Sequence, residues 1–313
     1  MENNQLIPLV VAFTPNYFVP ACVTIQSILE NSSVSDKYVV YCLLTDDLED
    51  NYKELLQILG GGRVQFVYIN MTGKLEGIYV DERYTIAASF RLVLSELLSN
   101  LDKVIYLDCD IIVRQNLAAL YTAIDLKDNY LAAVFEAPLE HQLEYIQSLG
   151  IESNNYFNSG FLVMNLDQLR KDGMASKFIE AAKQDGLQFP DQDVLNQLCQ
   201  SKTLSLSPVY NGIRTFFLPQ YKSNFLKKYT AMDWNIVQTN SNIHYTGGKP
   251  WNIVAVEFQY WWDYFYKLPI AIQNLFPINH KVHKMYKVHK NPFGKFLYTS
   301  AQGLYRLFKY RGK

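Results

Sequence analysis

Two aspartates that follow an apolar run are the clearest candidates for chemistry in this chain. Val104 to Leu107 are four large apolar residues in succession, and Asp108 and Asp110 come directly after them. Such a run without polar alternation is typical of a buried strand in a sheet covered on both faces. Residues i and i+2 of a strand point to the same side, so the two carboxylates converge at its carboxyl end. Paired carboxylates predict a site for a hard cation such as Mg²⁺ or Mn²⁺.

The Asp-x-Asp pattern does not identify a metal site by its letters alone. With 17 aspartates in 313 residues, about one such pattern is expected by chance, and the chain has two, the second being Asp191 and Asp193. The preceding buried strand and a second polar cluster far downstream distinguish the first pair. In that cluster His244 is followed by Gly247, Gly248 and Lys249. Histidine is a common metal ligand, the two glycines allow a ligand to approach the backbone closely, and the lysine can bind a phosphate group.

Three further positions carry polar groups that suit a sugar or phosphate ligand. Arg91 precedes the central strand and could pair with the carboxylates, reach a substrate or lie on a solvated face. Asn158 lies in a small polar turn and is either a hydroxyl-binding amide or a turn former. Asp191 follows Pro190 at a helix start, where the helix dipole explains one acidic residue but does not require the amide of Gln192.

The elements that must position these residues alternate between strand and helix patterns, which predicts a βαβ sheet in an α/β fold. The triple glycine at 60–62 follows a helix instead of opening one and lacks the dinucleotide-binding spacing, so it is interpreted as a helix C-cap. No Walker loop occurs. Strands are predicted at residues 6–13, 37–44, 63–69, 104–107, 130–135 and 156–166, and helices at residues 18–28, 46–59, 84–98 and from 190.

Composition favours a large intracellular α/β protein. Hydrophobic residues make up 49% of the chain, enough for one large domain or two. The four cysteines form no Cys-x-x-Cys pair, which suits buried reduced thiols better than disulfides or structural zinc. The short apolar stretch at residues 6–13 contains Pro8 and follows no basic cluster, so neither a signal peptide nor a membrane span is expected. We therefore expect a cytoplasmic location.

The charge is split along the chain. Residues 264–313 contain ten Lys or Arg and no Asp or Glu, whereas residues 1–263 carry a net charge of −11. Phe293, Phe296, Leu297, Ala301, Leu304 and Phe308 follow one helical face, which predicts a basic amphipathic helix that lies on an anionic membrane. The alternative is a set of ordinary core helices with a solvated basic rim. No nucleic-acid-binding motif accompanies this tail, so nucleic acid is not an expected partner.

Taken together, these motifs resemble glycosyltransferase family 8, whose retaining nucleotide-sugar-dependent members include bacterial lipooligosaccharide galactosyltransferases and glycogenin. The resemblance covers residues 6 to about 268 and rests on the order and spacing of all the motifs. It implies a GT-A fold, a Rossmann-like mixed sheet flanked by helices, over residues 1–268. The basic, aromatic segment 269–313 is then a C-terminal helical extension, associated with the membrane or the acceptor.

The resemblance also implies roles for individual residues. Asp108, Asp110 and His244 would ligate Mn²⁺ or Mg²⁺, and Gly247 and Lys249 would contact the diphosphate of a UDP-hexose. Thr14 stands where the family often has an acidic residue near the uracil, and the Gly247 to Lys249 spacing is one residue shorter than in many members. The implied donor-binding residues are Ala12, Thr14, Asn16, Tyr17, Arg91, Asp108, Cys109, Asn158, Asp191, Gln192, His244, Gly247 and Lys249.

The implied reaction transfers glucose or galactose to a glycan, glycolipid or glycoprotein acceptor in bacterial cell-surface polysaccharide synthesis, at the inner face of the plasma membrane. Family likeness favours front-face attack, with Gln192 beside the anomeric carbon and Asp191 orienting the sugar. A double displacement through Asp191 stays open. Two other classes of protein are alternatives. One is a haloacid-dehalogenase-like phosphatase with Asp108 as nucleophile, although the downstream Gly-Asp pattern of that class is missing here. The other is a non-catalytic carbohydrate- or membrane-binding protein.

Overall fold

A computed structural model of the chain describes residues 6–80 and 85–296. Within them, a mixed seven-stranded sheet has the strand order β3-β2-β1-β4-β7-β6-β8, and β5 pairs with β9 in a separate two-stranded ribbon. The strands are β1 (Leu6–Phe13), β2 (Lys37–Leu44), β3 (Val64–Asn70), β4 (Lys103–Leu107), β5 (Ile111–Ile112), β6 (Leu131–Phe135), β7 (Phe157–Asn165), β8 (Thr203–Ser205) and β9 (Ile243–His244).

Strand β4 is central, as its apolar sequence predicts. It pairs in parallel with β1 and antiparallel with β7, where Leu107 lies opposite Phe161. Its side chains alternate between two apolar clusters on opposite faces of the sheet: Ile105 and Leu107 in one, Val104 and Tyr106 in the other. Because both faces are covered, the polar residues that follow β4 are confined to the sheet edge.

Helices cover both faces of the sheet. Two of the helices start where the sequence predicts: α1 follows β1 through a 3₁₀ turn at Pro15–Tyr17, and α8 begins at Pro190. The helices are α1 (Phe18–Glu30), α2 (Asp50–Gly60), α3 (Leu94–Leu97), α4 (Leu117–Ala123), α5 (Glu140–Ser148), α6 (Leu166–Lys171), α7 (Met174–Ala181), α8 (Pro190–Cys199), α9 (Lys222–Phe225), α10 (Ala231–Asn240), α11 (Phe258–Phe265), α12 (Ile270–Gln273) and α13 (His280–Lys290).

Two predicted helices differ from the structure. The helix expected at residues 84–98 is a 3₁₀ helix at Ile86–Val93 followed by the short α3, and Tyr84 lies outside the described residues. The Ala88 carbonyl in this segment accepts a hydrogen bond from Arg91 Nε at 2.7 Å. Helix α2 starts at Asp50 rather than 46, and the Asp47 carboxylate, in the segment before it, accepts a hydrogen bond from Asn70 at the end of β3.

The predicted C-cap and thiol states are confirmed. Gly61 ends α2 in the left-handed conformation, with φ of 55°, which glycine adopts without a Cβ penalty. All four cysteines are buried, and none of them forms a disulfide bond. Among the described residues, no helix is both long and apolar enough to cross a lipid bilayer.

The start of the predicted C-terminal extension packs against the sheet domain. Trp261 and Trp262 of α11 are buried, and Val282 and Tyr286 of α13 belong to the same apolar cluster. The Tyr286 hydroxyl donates to Asp263 at 2.8 Å. The boundary predicted at residue 268 stays a prediction, and Leu297, Ala301, Leu304 and Phe308 of the predicted amphipathic helix lie outside the described residues.

Candidate active site

The site lies at the sheet edge where β1, β4 and β6 end and β7 begins. Parallel strands present their carboxyl ends to the same edge, and β7 enters there because it runs antiparallel. A cavity of about 700 Å³ opens at this edge. Of the predicted site residues, all but the exposed Asn16 line it: Ala12, Thr14, Tyr17, Arg91, Asp108, Cys109, Asp110, Asn158, Asp191, Gln192, His244, Gly247 and Lys249.

Asp108, Asp110 and His244 meet in this cavity, although 134 residues separate Asp110 from His244. One candidate ligand atom from each residue lies within 4.8 Å of the other two. The shortest distance between a carboxylate and the imidazole is 3.3 Å, from Asp110 Oδ1 to His244 Nε2. The β5–β9 ribbon produces this meeting, since Ile111 pairs with His244. The sequence-based prediction that these three side chains converge is therefore confirmed, and their role as metal ligands stays a prediction.

The donor atoms of this cluster fit a divalent cation. Asp110 Oδ1 is buried and has no hydrogen-bond partner among the described residues. His244 Nδ1 lies 2.9 Å from Asn211 Oδ1, and the other ring nitrogen, Nε2, faces the carboxylates. A buried carboxylate oxygen without a hydrogen-bond partner and an imidazole nitrogen directed at it are groups that a coordinated ion would satisfy.

Lys249 pairs with Asp110 and also donates to the Tyr245 carbonyl at 3.0 Å. Burial opposes ionisation of Asp110, but the Lys249 ammonium and His244 outweigh it and hold the pKa of Asp110 below its usual range. Burial likewise opposes the charge of Lys249, and Asp110 reverses that effect so that the pKa of Lys249 is raised. Both groups are therefore charged at neutral pH, and the ammonium stands where it can reach an anionic ligand.

Arg91 is a buried cation that joins two carboxylates. Its side chain is 2% exposed, its Nη2 lies 2.8 Å from Asp108 Oδ1, and its Nε lies 3.2 Å from Asp191 Oδ2. The guanidinium also lies over the Tyr106 ring, 4.2 Å from the centroid. Of the three possibilities that the sequence left for Arg91, pairing with the carboxylates is the one observed.

Hydrogen bonds and an ion pair fix the side chains of Asp191 and Gln192. Asp191 accepts from Ser159 Oγ at 2.9 Å as well as from Arg91, while burial raises the pKa of its carboxyl. Gln192 Oε1 accepts from Asn158 Nδ2 and from the Ser159 backbone N–H, each at 3.0 Å. The first turn of α8 thus presents a carboxylate and a carboxamide whose orientations are both fixed.

Sequence reasoning missed several residues of this site. Glu136 directly follows β6, just as Asp108 directly follows β4. Its position at the same sheet edge could therefore have been predicted from the sequence. Burial raises the pKa of its carboxyl, which accepts from Gln192 at 3.3 Å and Asn158 at 3.4 Å. Asn211 is fully buried and hydrogen-bonded to His244, and no sequence pattern indicated that it belongs to the site. Gly160 matters because a Cβ there would lie 2.2 Å from His244 Cε1.

Comparison with known proteins identifies the class. The family model of glycosyl transferase family 8 matches residues 8–255. A lipopolysaccharide 1,2-glucosyltransferase of Escherichia coli is 30% identical over 253 residues, 76% of this chain and 70% of that protein. General stress protein A of Bacillus subtilis is 26% identical over 264 residues, 80% of this chain and 90% of that protein.

A solved structure of the galactosyltransferase LgtC in complex with donor and acceptor sugar analogs superposes with a TM-score of 0.68 at 25% identity, covering 89% of this chain and 99% of that one. The mixed sheet with its edge cavity is therefore the GT-A fold of a glycosyltransferase. The chain belongs to glycosyltransferase family 8. The predicted fold, family and enzyme class are confirmed, and they leave no ground for the phosphatase alternative.

Proposed function

We propose that this enzyme is a retaining hexosyltransferase that uses a UDP-hexose and a divalent cation, Mn²⁺ or Mg²⁺, held by Asp108, Asp110 and His244. The observation that carries the proposal is the convergence of these three side chains, with Asp110 Oδ1 lacking a hydrogen-bond partner and His244 Nε2 directed at it from 3.3 Å. When bound, such a cation acts as a Lewis acid that stabilises charge on the departing diphosphate.

The protein's own residues supply the rest of the arrangement. Lys249 can exchange its contact with Asp110 for a diphosphate oxygen once a cation neutralises that carboxylate. We infer that Ala12, Thr14 and Tyr17, at and just after the end of β1, face the nucleoside, because they line the same cavity. Asn16 is exposed and does not line the cavity, so its contact with the nucleoside stays a prediction of the family resemblance.

The contacts of Asp191 support front-face attack over double displacement. Its Oδ2 is engaged by Arg91 and Ser159, which lowers its nucleophilicity and suits an orienting role toward the donor sugar. Gln192 is the neighbour proposed to lie beside the anomeric carbon as a fixed dipole, where it would stabilise an oxocarbenium-like state. In this mechanism the acceptor hydroxyl attacks from the side that the leaving diphosphate occupies.

The acceptor and donor are proposed from the relatives. One relative is a lipopolysaccharide 1,2-glucosyltransferase and a solved structure is that of a galactosyltransferase. Both names support a glucose or galactose donor and an acceptor that is a bacterial surface glycan or its lipid-linked precursor. Because the two names differ in the sugar, they do not favour either hexose.

The direct test is a screen of UDP-glucose, UDP-galactose and other UDP-sugars with Mn²⁺ or Mg²⁺, with UDP release as the readout. Asp110→Asn preserves the side-chain shape but removes the anionic ligand, so UDP release should fall by at least 100-fold and Mn²⁺ binding should weaken in parallel. Asp185→Asn, at an exposed position on the same chain, is the matched control. Wild-type turnover in Asp110→Asn would overturn the metal assignment.

We also propose that residues 280–313 bind the anionic inner face of the plasma membrane. In the described part, one side of α13 is fixed to the core by Val282 and Tyr286, and the other side presents exposed lysines. Phe293 and Phe296 are 70% and 65% exposed close by. Cations beside exposed aromatic rings are typical of a surface that lies in a membrane interface.

Vesicles containing phosphatidylglycerol test this proposal. Each lysine near such a surface contributes about 1 kcal/mol, so replacing Lys281, Lys284 and Lys287 with glutamine should weaken binding by roughly 100-fold. The control replaces Lys74, Lys177 and Lys227, which are exposed elsewhere, and leaves the same net charge. Equal loss in both triple variants would show a non-specific charge effect and contradict a membrane-binding segment.

A further inference from the structure

A chain of side-chain amides runs through the interior of the site and joins its two halves. It starts at His244, passes through Asn211 and Asn158, and ends at Gln192. Each link is between 2.9 and 3.0 Å long. These four side chains are at most 8% exposed, so their donors and acceptors depend on partners within the protein.

Backbone donors fix the direction of every amide in this chain. The Gly160 N–H can only donate, and it lies 3.1 Å from Asn158 Oδ1, so this atom is the oxygen. The Asn211 atom that faces the same oxygen, at 2.9 Å, must then be the nitrogen. Consequently Asn211 Oδ1 faces His244 Nδ1 and accepts its proton.

Asn211 is itself held in place by the backbone that carries His244. The neighbouring Gly212 donates to the Asn242 carbonyl at 3.1 Å and accepts from the His244 N–H at 2.9 Å. A side chain at Gly212 would not fit, since its Cβ would lie 2.5 Å from the Asn242 carbonyl oxygen. The amide of Asn211 is thus fixed relative to the imidazole and is not a mobile polar group.

We propose that Asn211 is a positioning residue that fixes the tautomer of His244 and couples it to Gln192 through Asn158. Its oxygen keeps the proton on Nδ1 and leaves Nε2 available for a cation. Its nitrogen orients Asn158, whose nitrogen in turn orients the Gln192 carboxamide. This inference rests on the proposed function for the roles of His244 and Gln192, but the hydrogen-bond pattern can be tested without it.

The first experiment measures the tautomer directly. Long-range ¹H–¹⁵N NMR of the metal-free enzyme at pH 8 distinguishes Nδ1–H from Nε2–H imidazole, and a His244→Gln variant assigns the signal among the five histidines. The wild type should carry the proton on Nδ1. Asn211→Leu removes the acceptor, so the signal should move toward the Nε2–H form. Asn196→Leu is the control, because Asn196 is equally buried but bonds only to backbone groups.

The second experiment separates the two functions of the amide. Asn211→Asp keeps an oxygen for Nδ1–H but replaces the donor to Asn158, so Mn²⁺ affinity should stay within about threefold while kcat for UDP release falls by 10-fold or more. Asn211→Leu should weaken Mn²⁺ binding by about 10- to 100-fold, the range typical of lost partners behind a metal ligand. Binding is measured by Mn²⁺ electron paramagnetic resonance without donor.

The outcomes are distinguishable. If the wild type binds no Mn²⁺, the proposed function fails, whereas the NMR signal of Asn211→Leu still decides the tautomer. If both Asn211 variants keep the Nδ1–H signal and wild-type Mn²⁺ affinity, the positioning role is overturned. Should Asn211→Leu not fold, Asn211→Asp still tests the coupling, because unchanged kcat in this nearly isosteric variant would refute it.

Discussion

Gly160→Ala should disable the proposed cation site by steric displacement alone. A Cβ at residue 160 would lie 2.2 Å from His244 Cε1 and 2.7 Å from Asp108 Oδ2. Ordinary carbon contacts are about 3.5 Å or longer, so the imidazole would have to withdraw by roughly 1.3 Å. Metal–ligand distances tolerate only about 0.2 Å. The added methyl group therefore removes His244 from the coordination shell or forces the carboxylate away.

The cost of this displacement can be bounded. His244 cannot move freely, because its side chain is only 5% exposed and its ring is hydrogen-bonded to Asn211. Loss of that hydrogen bond and overpacking together suggest destabilisation of about 1–3 kcal/mol. The loss of one ligand contact predicts Mn²⁺ affinity at least 10-fold weaker, which is about 1.4 kcal/mol of binding free energy. Calorimetric titration with Mn²⁺ and thermal unfolding measure the two quantities independently.

Gly150→Ala separates the binding effect from general destabilisation. Gly150 has a φ of 75° with nothing within 4 Å of a Cβ, so alanine there strains the backbone by about 1 kcal/mol without contacting the site. This control should lose stability and keep Mn²⁺ affinity. If Gly160→Ala binds Mn²⁺ as tightly as the wild type, then His244 is not a ligand in the position described, and the proposed coordination is refuted.

Three further predictions concern buried charges. Arg91→Lys keeps the charge but cannot bridge both carboxylates, so it should destabilise the fold by about 1–3 kcal/mol, and an unchanged midpoint of urea unfolding would contradict this. Because burial raises the pKa of Glu136, the folded state favours the protonated carboxyl. The stability that this protonated group contributes is present at low pH and is lost as pH rises through the folded-state pKa. The melting-temperature difference, Glu136→Gln minus wild type, should therefore be larger at pH 8 than at pH 4.5, and a difference that falls with pH would contradict this. Tyr156→Phe removes a 2.6 Å hydrogen bond to the buried Asp193 and should cost about 1–3 kcal/mol of unfolding free energy, with an unchanged midpoint as the contrary result.

The regular elements of this protein are determined by local sequence. The apolar run before Asp108, the alternation of strands and helices, and Pro190 at the start of α8 all depend on neighbours within a few residues, and the structure contains each of them. The 3₁₀ conformation at Ile86–Val93 is the exception, since the sequence predicted one continuous helix over this segment. The Arg91 side chain in this segment pairs with Asp108 and Asp191, which are remote in sequence.

The sequence by itself determined which residue types could form the site: three carboxylates, an imidazole, an arginine, a lysine and three amides. Only the tertiary structure decided how they pair. Asn211 and Glu136 enter the site because strand pairing brings separate segments to one sheet edge. The hydrogen-bond direction at Asn211 depends on a backbone N–H 51 residues away, at Gly160. Periodicity reports which face of an element is buried, but not which buried polar groups meet across it. The meeting of Asp108, Asp110 and His244 was therefore predicted from the family resemblance, and the contributions of Asn211 and Glu136 were not predicted.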